Sequence, residues 1–157
     1  MKNKGFTLIE LLVVVAIIGV LTAVLLVNLV GIRERGADTK KKSDLNQLKS
    51  ALRLYYNDEQ NYPEASSGLI QGCGSNGVST CIGDPDSSGF PSTLQNSTGT
   101  VYMKEVPEYT AYSTDVNRDT FFVGVALTNA SDPEAAASMA RCGAPATPAG
   151  IFYVCTD

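Results

Sequence analysis

The sequence predicts an α+β protein in which one long N-terminal helix precedes a small antiparallel β-sheet. Three patterns predict this class. Residues 6–27 form an apolar run of 22 residues, and a helix needs about 20 to cross a hydrocarbon core. Apolar residues then recur at helical spacing over residues 37–55. Over residues 121–127 every second residue is apolar instead, as expected for a strand with one buried face.

The apolar run contains one charged residue, Glu10. A carboxylate at the bilayer centre costs roughly 3 kcal/mol, and less near a helix end, so an acid here is a functional candidate. If the chain were cut between Gly5 and Phe6, the new amine of Phe6 would lie one helical turn from Glu10 on the same helix face. The alternative is a carboxylate that simply reaches the lipid head groups. An ordinary secretory signal does not fit, because no small-residue cleavage site follows the run.

Residues 33–56 predict an amphipathic continuation of the same helix, with one apolar stripe formed by Ala37, Leu45, Leu48, Leu52 and Tyr55. Asp38 and Lys42 are four residues apart, so we predict an ion pair between them on the solvent-facing side. The residue before a proline avoids helical geometry, and Pro63 is the first proline of the chain. The helix is therefore predicted to extend from Phe6 to about Tyr56.

The segment Gly5-Phe6-Thr7-Leu8-Ile9-Glu10, followed by an unbroken apolar helix, resembles the leader of type IV pilins and type II secretion pseudopilins. The resemblance is close over residues 1–32 and looser to about residue 63. It implies that a prepilin peptidase cleaves after Gly5 and that Phe6 becomes an N-methylated terminus. It also implies that Glu10 neutralises the Phe6 amine of a neighbouring subunit during filament assembly. Many members have a proline before the position of Asn28, where this chain has Val27.

The resemblance and the composition together predict four segments and a pilin-like ladle shape. Residues 1–5 form a cleaved leader, residues 6–32 a transmembrane or filament-core helix, and residues 33–61 the amphipathic second half of the helix. Residues 62–157 form a globular head, in which residues 64–100 are rich in Gly, Ser, Asn and Pro and predict a long loop stapled by cysteines.

The rest of the head predicts short strands and one helix. Asp132, Pro133 and Glu134 are typical of an N-cap, a first-turn proline and a first-turn acid. A helix is therefore predicted over residues 135–141, ending near Gly143. The predicted strands cover residues 101–103, 109–114, 120–127 and 151–155, with a polar turn over residues 115–119.

Charge and composition exclude several functions for the head. Residues 62–157 carry three basic and ten acidic side chains, so direct nucleic-acid binding by the isolated head is not expected. The chain has no His, which removes Ser-His and Cys-His nucleophile pairs and most zinc enzymes. We find no catalytic motif and predict no enzyme activity.

The four cysteines allow three disulfide pairings, of which we favour the two local ones, Cys73 with Cys81 and Cys142 with Cys155. A zinc site is the rival interpretation, but the sequence has neither His nor a Cys-x-x-Cys motif.

Two acidic segments predict weak calcium sites, and no other cofactor is expected. Asp84 and Asp86 occupy alternating positions of a calcium-loop pattern that lacks the final Glu. Asp115, Asn117 and Asp119 alternate in the same way but lack the Gly. Ordinary turn chemistry of Asp, Asn, Ser and Gly is the favoured explanation of both segments.

The resulting expectation is a structural subunit of a type IV pilus-like filament. Its partners would be further copies of itself, the prepilin peptidase, an inner-membrane assembly platform and, before assembly, membrane lipid. The subunit would reside in the cytoplasmic membrane with its head outside the cytoplasm, then in an extracellular or periplasmic filament. The alternatives are a type II secretion pseudopilin, a competence-type pilin for DNA uptake and, more distantly, a membrane-anchored binding module.

Overall fold

A computed structural model describes residues 6–73, 79–81, 93–96, 98–145 and 148–156, without the side chains of residues 24–30. It confirms the α+β class, because a long N-terminal helix is followed by antiparallel strands. The chain divides into two compact units, Met1–Gly36 and Ala37–Asp157. Gly5, Asp84 and Asp86 lie outside the described residues, as do the side chains of Val27 and Asn28.

The first element, α1, spans Leu8–Glu59 and has 52 residues. It ends at Glu59, three residues later than predicted. The next residue, Gln60, has a φ of 56° and donates its backbone N–H to Tyr56 O at 2.8 Å. This left-handed residue closes the helix in the way that Gly usually does. Over the part of the chain that the structure describes, no helix is long and apolar enough to cross a membrane, so the transmembrane prediction is not confirmed.

The segment predicted as a long loop, residues 64–100, contains a sheet, which corrects that prediction. Within residues 64–100 its strands are β1 (Glu64–Ser66), β2 (Leu69–Cys73), β3 (Ser79–Thr80) and β4 (Leu94–Gln95). The fifth strand, β5 (Val101–Met103), agrees with the strand predicted over residues 101–103. Their order is β1-β2-β4-β5, and β3 also pairs with β2. Between β1 and β2, Ser67 and Gly68 both have positive φ, as the two-residue turn of a tight hairpin requires.

The second sheet agrees closely with the predicted strands. It contains β6 (Ala111–Thr114), β7 (Phe121–Ala126) and β8 (Ile151–Cys155) in that order, all antiparallel. The helix α2 (Pro133–Cys142) lies between β7 and β8 in sequence, and the carboxylate of its N-cap Asp132 accepts from Glu134 N at 2.8 Å. The hydroxyl of Ser138 on α2 accepts from Tyr153 N at 2.9 Å, which fastens α2 to β8.

The core of the second unit forms where α1 meets the two sheets. The predicted stripe residues Leu45, Leu48, Leu52 and Tyr55 are buried together with residues of both sheets, and each buried Leu stabilises the fold by roughly 1.5–3 kcal/mol. The stripe prediction is wrong at its first position. There Ala37 is exposed and Asp38, only 3% exposed, is buried in its place.

Disulfides join Cys73 to Cys81 and Cys142 to Cys155. This is the local pairing that the spacing favours, and it leaves no thiolate for the rival zinc site.

Candidate assembly site at the start of the helix

The site predicted for assembly is built by the first turn of α1. Glu10 Oε2 accepts hydrogen bonds from Thr7 N at 2.9 Å and from Thr7 Oγ1 at 2.8 Å. In return, Glu10 N donates to Thr7 Oγ1 at 3.3 Å. This is a capping box, which satisfies backbone N–H groups that have no partner inside the helix. The sequence analysis considered only the Phe6 amine as a partner for Glu10 and did not predict this cap, although the pattern Thr-x-x-Glu is visible in the sequence.

The turns that follow this cap expose apolar side chains to solvent. Phe6 is 81% exposed and Leu8 is 79% exposed. The apolar residues that follow are each at least 47% exposed. They are Ile9, Leu11, Leu12, Val13, Val14, Val15, Ile17, Ile18, Val20 and Leu21. Apolar patches of this extent mark a surface that contacts protein or lipid. The first turns of α1 therefore combine an apolar surface with one carboxylate held at its end.

Within the second unit, Asp38 connects α1 to the segment after β7. Its Oδ1 accepts from Thr128 N at 2.7 Å and its Oδ2 accepts from Asn129 N at 2.9 Å. Burial alone would raise the pKa of Asp38, but these backbone hydrogen bonds outweigh burial and lower the pKa. The predicted Asp38–Lys42 ion pair on the solvent-facing side is wrong, because the Asp38 carboxylate binds backbone amides instead.

Lys42 extends this connection to the first turn of α2. Its Nζ lies 2.8 Å from Asp132 Oδ2 and 2.8 Å from Glu134 Oε2. Burial would lower the pKa of Lys42, yet the hydrogen bonds to the two carboxylates raise it above the ordinary value. Lys41 also contributes, since its Nζ donates to Ala126 O at 2.9 Å. One face of α1 thus holds the β7–α2 connection through three polar side chains.

The residues predicted as a weak calcium site form the turn between β6 and β7. Asp115 Oδ1 accepts from Asp119 N at 2.8 Å and from Thr120 N at 2.9 Å. The side chain of Asp119 is engaged as well, since its Oδ1 accepts from Tyr56 OH at 3.3 Å. Asn117 is exposed at this turn. Among the described residues no group of three His, Cys, Asp or Glu side chains is arranged to hold a metal ion.

These features define a class of proteins. A helix that begins at a Thr-x-x-Glu cap, exposes apolar side chains along its first turns and continues into an antiparallel head is pilin-like. Residues 1–26 match the family model described as the prokaryotic N-terminal methylation motif.

Similarity to individual proteins identifies the family. The type IV wide pilus major component PilA4 of Thermus thermophilus is 36% identical over 119 residues, covering 73% of this chain and 91% of that protein. The chain therefore belongs to the type IV pilin family.

Type II secretion proteins are similar over a shorter stretch. The type II secretion system core protein G of Escherichia coli (strain K12) is 43% identical over 68 residues, covering 43% of this chain and 47% of that protein. The protein of the same name from Vibrio cholerae is 40% identical over 68 residues, with 43% and 47% covered. The chain thus spans about half the length of these secretion relatives. No solved structure gives a significant match.

Proposed function

We propose that the protein is a structural subunit of a type IV pilus-like filament. The observation that carries this proposal is the exposed apolar surface at the start of α1, which ends in the single carboxylate of Glu10. Similarity to a major pilus component over 91% of that protein's length supports it. Packing these surfaces against one another in a filament removes from water the apolar area that a single subunit leaves exposed.

Processing converts the capped helix start into an assembly contact. A prepilin peptidase cleaves between Gly5 and Phe6, and the Phe6 amine becomes a methylated cation. In a filament the Glu10 carboxylate exchanges its hydrogen bonds with Thr7 for the Phe6 amine of a neighbouring subunit. Removing one partner of a buried ion pair costs about 3–5 kcal/mol, so only a subunit in register satisfies Glu10. Before assembly on an inner-membrane platform, the subunit lies in the cytoplasmic membrane with its head outside the cytoplasm.

The second candidate is a type II secretion pseudopilin. The match to protein G covers 68 residues at 43% identity. The match to the pilus component is longer, at 119 residues, and its identity is lower, at 36%. A gene deletion separates the two functions. Loss of surface filaments with normal export favours the pilin, whereas loss of exported proteins with intact surface filaments favours the pseudopilin.

The assembly contact itself is tested by Glu10→Val. We expect filaments sheared from cells to disappear, while the cleaved subunit persists in the membrane fraction. Glu34→Val is the matched control, because Glu34 is an exposed acid of the same helix and its variant should still form filaments. Unchanged filament yield with Glu10→Val would contradict the role of Glu10. Mass spectrometry of the mature subunit should find methylated Phe6 at its terminus; a product that retains Met1 would contradict the processing step.

A further inference from the structure

The two disulfides of the head differ in their access to solvent. Cys73 is 1% exposed and Cys81 is 0% exposed, so the first disulfide lies in the core. Cys142 and Cys155 are both partly exposed. A thiolate must reach a sulfur atom to open a disulfide, and accessible disulfides are the labile ones. Only the second pair offers that access in the folded head.

A groove of about 440 Å³ lies along the Cys142–Cys155 disulfide. Its other lining residues include Asp115, Phe122, Arg141 and Thr156, so one acidic and one basic residue line the groove. Arg141 is exposed and forms no ion pair among the residues that the structure describes. A cation beside a sulfur atom stabilises thiolate, both in an attacking group and in a leaving group. The Asp115 carboxylate in the same groove accepts hydrogen bonds from Asp119 N and Thr120 N, so within the described residues the groove presents the disulfide together with the unpaired cation of Arg141.

We propose that the Cys142–Cys155 disulfide is a thiol-exchange site of the folded head, which a protein dithiol opens while Cys73–Cys81 stays closed. The thiolate of the dithiol attacks Cys142 Sγ, which forms a mixed disulfide and releases Cys155 as thiolate. The second thiol of the reductant then attacks the mixed disulfide and releases Cys142. The head gains two electrons and two protons, and the dithiol becomes a disulfide. Run in reverse, the same steps close the bond.

Attack occurs at Cys142 because of where the two residues lie. Cys142 is the last residue of α2, and the negative end of a helix dipole disfavours a thiolate there. Cys155 ends a strand instead, so it is the better leaving group, and exchange is faster when the leaving thiol has the lower pKa.

The fold does not depend on this bond for its topology. The strand β8 pairs with β7 from Phe122↔Cys155 to Ala126↔Ile151, and Ser138 Oγ binds Tyr153 N. Phe152 and Val154 of β8 also lie in the core. Opening the disulfide therefore releases the last turn of α2 without removing β8 from the sheet.

Graded reduction tests the proposal on the full chain in detergent. Dithiothreitol is added under native conditions, free thiols are blocked with N-ethylmaleimide at timed intervals, and peptides are mapped by mass spectrometry. We expect Cys142 and Cys155 to be labelled at least about tenfold faster than Cys73 and Cys81. In urea, where burial no longer protects either pair, the two rates should converge. Equal native rates, or faster labelling of Cys73 and Cys81, would overturn the proposal.

The order of the exchange steps is tested with a thioredoxin variant that keeps only its attacking cysteine, which traps the mixed disulfide. We expect the trapped bond at Cys142, and a bond at Cys155 would refute the assigned leaving group. Arg141→Gln should slow trapping by about two- to fivefold, the effect of one exposed charge. Lys104→Gln is the matched control, since Lys104 does not line the groove, and its rate should be unchanged. Equal rates for both variants would contradict the role of Arg141.

Discussion

Replacing Asp38 with Ala should destabilise the head more than an ordinary Asp→Ala change in the same helix. The buried carboxylate accepts two backbone N–H groups, at 2.7 Å and 2.9 Å. Hydrogen bonds to a charged group contribute roughly 1.5–3 kcal/mol each. Thr128 and Asn129 are exposed, so water can solvate their amides once the carboxylate is gone. We therefore expect the free energy of unfolding to fall by about 3 kcal/mol, which is the sum of the two lower limits.

Asp44→Ala provides the matched control. Asp44 lies on the same helix, is partly exposed and has no hydrogen-bond partner within the described part of the chain. Both variants gain helix propensity of up to about 0.7 kcal/mol, so their difference isolates the two amide contacts of Asp38.

Urea unfolding of the full chain in detergent measures this difference. The chain has no Trp and seven Tyr residues, all of them in the second unit, so tyrosine fluorescence reports on the unfolding of that unit. With an m-value of roughly 2 kcal/mol/M, the midpoint of Asp38→Ala should fall by about 1.5 M relative to Asp44→Ala. Midpoints that agree within about 0.25 M would refute the assigned role of the Asp38 carboxylate.

The stability difference between wild type and Asp38→Ala should depend on pH. The pKa of Asp38 is lower in the folded head than its ordinary value, because backbone hydrogen bonds overcome the opposing effect of burial. The unfolded state therefore binds the proton more tightly, and the stability from Asp38 is complete above the unfolded pKa of about 3.9. It is lost as the pH falls through the lower folded pKa. The difference between wild type and Asp38→Ala should thus be constant near pH 7 and shrink below about pH 4; a constant difference at acidic pH would contradict it.

Three further substitutions test local geometry. A methyl group at Gly124 would lie 2.6 Å from a ring carbon of Tyr153, so Gly124→Ala should lower the free energy of unfolding by about 1–3 kcal/mol; an unchanged urea midpoint would contradict that packing. Ser67 has a positive φ in the β1–β2 turn, and Ser67→Asn should raise the thermal midpoint, with a gain of about 0.5 kcal/mol, since Asn tolerates this conformation better. Thr7→Val removes the cap of α1, so hydrogen exchange at the Glu10 amide should accelerate about fivefold, equivalent to ~1 kcal/mol; unchanged exchange would argue against the cap.

Long periodic segments were predictable from sequence because one dominant force shapes them. The stripe of Leu45, Leu48 and Leu52 and the alternation of residues 121–127 reflect burial of apolar side chains, which repeats with the geometry of each element. Both predictions are confirmed by the buried core. The Asp132 cap of α2 was also predictable, because capping depends on residues adjacent in sequence.

Strands β1 to β4 of the first sheet were missed because most of them are too short to show periodicity. Strands β3 and β4 have two residues each, and a two-residue strand cannot display alternation. A local signal did exist, since Ser67-Gly68 followed by Leu69 and Ile70 favours a hairpin turn. The high content of Gly, Ser, Asn and Pro over residues 64–100 masks this turn signal and favours a loop instead.

The polar contacts of Asp38 and Lys42 were harder to predict because their partners are distant in sequence. Asp38 and Lys42 have the spacing of a surface ion pair, yet each binds a group about 90 residues away. Nothing within the helix distinguishes that arrangement from a solvated pair. The Thr7–Glu10 cap is the opposite case. It was not predicted, but both residues lie within one turn, and the Thr-x-x-Glu pattern is a sufficient signal for it.

The separation of 90 residues between Asp38 and Thr128 has a kinetic consequence. Closing so long a segment has a large entropic cost before any contact compensates it, so such contacts tend to form after the transition state for folding. Loss of the Asp38 carboxylate should then accelerate unfolding and leave the folding rate nearly unchanged. The contact would therefore slow unfolding and lengthen the lifetime of the folded head.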